Sequence, residues 1–178
     1  MGTPPIPDAG RTIGGVNMGG GGWSNWGDWA NVPIGECSEN SNPIEHKNAV
    51  LMIEATLFER LSGRRYIEVY WNAGACIGIS GDPNQILTSC NIEINIIVSW
   101  PLIGTPPFDY PHISHTFDNQ CSKSQTDVFD YISDTASYYD VSVTLDTTCD
   151  YIQVLEFPPA LLPQRTTDHV TCNCRIYP

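Results

Sequence analysis

Seven cysteines, at positions 37, 76, 90, 121, 149, 172 and 174, are the densest source of reactive side chains in the chain. Thiols bind soft metals or pair as disulfides, and spacing helps to decide which. Cys172-Asn173-Cys174 is not a C-x-x-C pair, so it fits neither a thioredoxin-type motif nor a zinc knuckle. In an extended strand both sulfurs share one face, too far apart along it for an easy mutual bridge. His169 with Cys172 and Cys174 offers zinc-ligand types, yet alternation turns His169 to the opposite face unless it precedes the strand. Cys76 and Cys90 flank one hairpin-like unit, and Cys121 and Cys149 flank another. Those are the pairs expected if bridges form.

His112-Ile-Ser-His115-Thr-Phe-Asp118 has the residue types of a two-histidine, one-carboxylate metal site. Its i, i+3, i+6 spacing suits a helix, but Pro106, Pro107 and Pro111 make an extended, irregular loop the expectation, in which the three side chains do not converge. Asp127, Asp130, Asp134, Asp140, Asp146 and Asp150 offer the hard oxygens that calcium needs, with few basic residues between them. Lacking any EF-hand pattern, they read first as strand ends and turns. The chain has no Gly-x-Ser-x-Gly, no phosphate loop and no HExxH. The expectation is a non-enzymatic protein with no catalytic residues, no bound metal and no cofactor.

The most unusual local feature is Trp23-Ser-Asn-Trp26-Gly-Asp-Trp29, followed by Cys37-Ser38. Locally this resembles the opening of a thrombospondin type 1 repeat. That family's CSxxCG segment and Arg-rich strand have no counterpart here, so its fold does not carry over. What remains is physical: three indoles on a Gly-rich tether offer a large area for burial. Trp23, Trp26 and Trp29 are therefore the candidate partner-docking residues. They sit in a stretch, residues 1–42, rich in Gly and Pro and poor in aliphatics, which cannot bury enough apolar surface to fold alone. It is expected to be an extended N-terminal arm.

Residues 43–178 must supply the folded body. Ile92, Ile94, Ile96, Val98 and Trp100 fall on one face of an extended chain, and polar residues fill most of the other. Tyr139, Val141, Val143 and Leu145 repeat the pattern, as do Ile67, Val69 and Trp71, and Val170, Cys172, Cys174 and Ile176. Tyr151–Phe157 is a further strand, ended by Pro158-Pro159; Cys76–Ile79 and Gln85–Thr88 are shorter candidates around the Gly81-Asp82-Pro83-Asn84 turn. Asn42-Pro43-Ile44-Glu45 carries helix-start signals, but Leu51, Ile53, Ala55 and Leu57 line up better as a strand that turns at Leu61-Ser62-Gly63-Arg64. The expected fold is all-β: an antiparallel sandwich of seven or eight strands, jelly-roll or Ig-like, with at most one short helix near Thr126–Ser133.

The 178 residues hold 20 acidic and 8 basic side chains, a formal charge of -12. So few cations exclude nucleic acid and a polybasic membrane patch as partners. No basic region followed by an apolar run stands at the N-terminus, so no signal peptide is expected and synthesis in the cytoplasm is. The cysteines then read as thiols, or as bridges formed after the protein leaves the cell. A leaderless acidic sandwich with a Trp-bearing arm suits assembly. The function expected is a structural component of a virion, such as a capsid decoration, minor capsid or fibre protein, homo-oligomeric or docked on neighbouring subunits. The alternative is a carbohydrate-binding or adhesive module, with Trp23, Trp26 and Trp29 or the Tyr66/Tyr70 face on sugars and calcium assisting.

Overall fold

Period-two alternation dictates a half-buried sheet wherever one face meets a core, and the long strands that line the core here follow it. The computed structural model describes residues 31–41, 48–102 and 108–178, and also the backbone of two short paired strands, β1 (Thr12–Ile13) and β2 (Val16–Asn17). The long strands are β3 (Asn31–Asn40), β4 (Ala49–Arg60), β5 (Arg65–Ala75), β6 (Gln85–Ser99), β7 (His112–Asp118), β8 (Ser122–Phe129), β9 (Tyr139–Glu156) and β10 (Pro159–Ile176). A single-turn helix, α1 (Ile77–Ser80), follows β5. One sheet runs β3-β4-β5-β8 and the other β10-β9-β6-β7, with every pairing antiparallel. The protein is an eight-stranded antiparallel β-sandwich.

The core lies between the sheets. Leu51, Ile53 and Leu57 of β4 and Ile67, Val69 and Trp71 of β5 face Ile92, Ile94 and Ile96 of β6 and Val141, Val143 and Leu145 of β9, all fully buried. Removing that apolar area from water is the main force holding the layers together. Between β4 and β5 the chain reverses through Gly63, whose φ of 81° is left-handed; this is the one place in the hairpin where glycine is needed. The short helix expected near Thr126–Ser133 is absent: Ser122–Phe129 is strand β8. Cys76–Ile79, expected as a short strand, instead enters α1.

Asn31–Asn40, inside the stretch that composition sets apart, is edge strand β3 of this sandwich. Besides the Asn173 N–H donating to Glu39 Oε2 at 2.8 Å, two devices hold it against β10, the edge strand of the other sheet. A disulfide joins Cys37 to Cys174. The backbones also approach closely at Gly35, where an added Cβ would lie 2.3 Å from the Tyr177 carbonyl oxygen and 2.6 Å from the Ile176 Cγ2. The first obstacle is backbone and cannot rotate away. Gly35→Ala is therefore expected to cost about 2–3 kcal/mol by forcing β3 off β10, read as a lowered denaturation midpoint at unchanged slope. A change below about 0.5 kcal/mol would mean that β3 is free to shift.

Candidate functional site

The strands place the candidate residues in three groups. The first closes the side of the sandwich opposite β3 and β10, where edge strands β7 and β8 face each other across the layers. Asp127 of β8 points inward and is buried. Its Oδ1 accepts from Gln125 Nε2 at 3.0 Å and its Oδ2 from the Trp71 indole N–H at 2.8 Å. His115 Nε2, reaching across from β7, lies 2.9 and 3.0 Å from the two carboxylate oxygens. The imidazole also leans on the rings of Trp71 and Phe117, with centroids 6.0 and 5.9 Å away. A carboxylate surrounded by donors in this way is the condition under which burial is tolerated. Its partners include no nucleophile, and the arrangement reads as a polar tie between the sheets.

This placement corrects the expectation of an irregular loop around His112–Asp118. The segment is strand β7, and alternation settles the grouping: His115 faces inward while His112 and Asp118 face solvent. The three do not converge, though for a different reason than expected. Asp127 was the residue that sequence reasoning missed as a buried partner, because inward positions Lys123, Gln125 and Asp127 of β8 mimic no apolar strand face.

The second group is the outward face of β9 and β10. Arg175 forks onto Asp140 at 2.6 and 3.0 Å, His169 Nδ1 lies 2.6 Å from Asp146, and Arg165 forks onto Asp150 at 2.6 and 2.9 Å. Each pair is directly opposite in register. Asp130 meets Arg60, and Asp134 accepts the Arg65 backbone N–H at 2.7 Å. The six aspartates are thus distributed among separate donors instead of gathered in one loop. The Arg165 guanidinium, helped by the Ser89 hydroxyl, holds the Asp150 carboxyl at about 2, below the ordinary 3.8. A depressed folded value gives stability that is present above about 3.8 and is lost as pH falls towards about 2. In Arg165→Leu, an NMR titration should find the Asp150 midpoint moved upward towards the ordinary value; an unmoved midpoint would refute the role of Arg165.

His169 stands on that outward face, while Cys172 and Cys174 point inward and Cys174 is bonded to Cys37. The three do not form a ligand set. The expected pairs Cys76/Cys90 and Cys121/Cys149 are also replaced: Cys76 bonds Cys149 across the sheets. Strand register explains it, since Cys90 and Cys149 stand directly opposite each other and bring the two hairpin-like units to one point.

The third group was not anticipated. Beyond Asp150 the β9–β10 hairpin runs on past the core, and its only charged side chain between residues 151 and 164 is Glu156. Ile152 and Val154 pair with Pro163 and Leu161 in register, and Ile86 of β6 pairs with Ile152, so these apolar residues share the outward face. Phe157 at the tip is 93 % exposed, Leu161 65 % and Ile86 52 %. These side chains leave apolar area open to solvent at this end of the hairpin. The signal was present in Tyr151–Phe157 and Ala160-Leu161-Leu162, but a strand's apolar face does not by itself reveal whether a second layer covers it.

Trp23, Trp26 and Trp29 lie outside the described residues. Tyr66, one of the rings considered for stacking on sugars, is buried; Phe58 stacks on it at 5.0 Å and the Arg60 guanidinium sits 4.9 Å from its centre. Burial pushes its hydroxyl up to about 12. The chain matches no protein-family model, and no curated protein or solved structure shows significant similarity to it.

Proposed function

We propose that the protein is a non-enzymatic building block of a protein particle, such as a capsid decoration, minor capsid or fibre subunit of a virion, and that it joins further copies of itself. The observation that carries this reading is the bare apolar end of the β9–β10 hairpin. Charge argues for the same surface. Residues 43–178 carry most of the -12, so open contact between copies is repulsive, whereas residues 151–164 hold one charge only. Pro159 and Pro163 sit on edge strand β10, where they hinder another strand from adding alongside. The contact is therefore face packing of Ile86, Leu161 and Phe157, with Trp23, Trp26 and Trp29 as a second anchor. The two cross-sheet disulfides suit a particle that persists outside a reducing cell.

Sedimentation velocity and native mass measurement of the full chain test this. The wild type is expected to self-associate. The Ile86→Asp/Leu161→Asp variant, with an unchanged circular dichroism spectrum, should bind its own copies at least about 100-fold more weakly. A wild type that stays monomeric at high concentration, or a variant that assembles equally well, would overturn the reading.

A further inference from the structure

Four cysteine sulfurs meet at one end of the sandwich, each delivered by a different part of the chain. Cys76 follows β5 in a left-handed backbone conformation, φ 57°, that turns it inward ahead of α1. Cys90 lies on β6 and Cys149 opposite it on β9. Cys121 stands in the turn between β7 and β8, which is held to the end of β5 by the Ala75 N–H donating to the Cys121 carbonyl at 2.8 Å. Cys76 and Cys149 are bonded. The Cys90 sulfur lies 3.1 Å from that of Cys76, and the sulfurs of Cys76, Cys90 and Cys121 all lie within 4.8 Å of one another.

We propose that Cys90 and Cys121 are the site of a third disulfide, formed beside Cys76–Cys149 by reaction with a small-molecule disulfide. With it, six of the seven cysteines pair and only Cys172, buried beneath β4, keeps its thiol. The competing chemistry for four converging sulfurs is a tetrathiolate metal centre. That centre would place a dianion among apolar side chains in a chain that already carries -12, at a point where Cys76, Cys90 and Cys149 are all buried. A disulfide is neutral and incurs no such penalty. Burial, with the neighbouring Cys121 sulfur adding to it, pushes the Cys90 thiol up to about 12, which shows the same cost of charge at this spot.

The order of events follows from access. Cys121 is partly exposed and Cys90 is buried, so Cys121 meets the reagent first. Its thiolate attacks oxidised glutathione, forming a Cys121–glutathione bond and expelling one glutathione thiolate. The Cys90 thiolate then attacks the Cys121 sulfur, forming Cys90–Cys121 and expelling the second. Two protein thiols are oxidised, one glutathione disulfide is reduced to two thiols, and the two protons pass to the leaving thiolates or to water. Because Cys90 is held protonated, the second step is the slow one. Its rate should rise about tenfold per pH unit through neutrality, as the thiolate fraction does.

The test is a thiol count on the full chain by alkylation after denaturation, followed by peptide mapping. Before treatment the three free thiols are Cys90, Cys121 and Cys172. After oxidised glutathione, one free thiol and a Cys90–Cys121 peptide are expected, with Tm raised by roughly 5–10 °C. Cys121→Ser should keep Cys90 and Cys172 free under the same treatment and show no such rise. Three results would overturn the proposal: glutathione that stays on Cys121 with Cys90 still free at pH 9, a map linking Cys76 to Cys90, or a stoichiometric zinc ion that protects all four thiols in native mass measurement.

Discussion

A chain with serine at both Cys37 and Cys174 is expected to lose about 3–5 kcal/mol of stability, and to lose it first at β3. The bridge closes a sequence separation of 137 residues, near the long end of what a single crosslink spans in a chain of this size. Loop-closure entropy for such a span is worth about 4–5 kcal/mol. Local structure points the same way. Most of β3 is exposed, it has a ladder partner on one side only, and a register shift between Pro33 and Gly35 interrupts that ladder. Without the crosslink the strand keeps its bonds to β4 and the Asn173 N–H to Glu39 contact at 2.8 Å, which are too few to hold it against fraying. Hydrogen exchange should thus rise over residues 31–40 by a larger factor than over β4 or β5, alongside a Tm drop of roughly 6–15 °C. Uniform acceleration across the sandwich would show that β3 is an integral part of one cooperative unit instead.

How much of this was legible depended on whether burial and hydrophobicity coincide along each strand. They do in β4, β5, β6 and the first part of β9, where Leu51, Val69, Ile94 and Val143 alternate with polar residues and the sheet follows directly. They part company in β8, whose inward positions are Lys123, Gln125, Asp127 and Phe129. There the polar knot replaces apolar packing, so the period-two signal vanishes and the segment resembles a helix. In β10 the prolines at 159 and 163 suggest a loop, although an edge strand tolerates them because its outward N–H groups have no partner to lose. Cysteine pairing was illegible for a further reason. It depends on which strands lie opposite one another, and the register that sets Cys90 against Cys149 is a property of the assembled sheet.

Two unlike devices therefore close the sandwich's open sides: a covalent bridge between β3 and β10, and a hydrogen-bonded carboxylate between β7 and β8. The second is the more demanding in chemistry, since the loss of one donor or one oxygen leaves a buried polar group without its partner. Asp127→Ala is expected to cost about 3–4 kcal/mol. The Trp71 indole N–H, on a fully buried ring, would be left without its acceptor, at about 1–3 kcal/mol. His115 and Gln125 would lose theirs as well, and the side chain's own space would be left open. Asp127→Asn keeps the shape and one accepting oxygen, so it should cost about half as much. Trp71→Phe removes the donor with part of the ring and should cost about 2 kcal/mol. If the indole and the carboxylate form one unit, the double variant Trp71→Phe/Asp127→Ala must be less harmful than the sum of its parts by about 1 kcal/mol. Denaturant titration of the four chains measures this directly. Additive losses would place the value of Asp127 in its bond to His115, and so in the link between the two sheets, with Trp71 contributing packing alone.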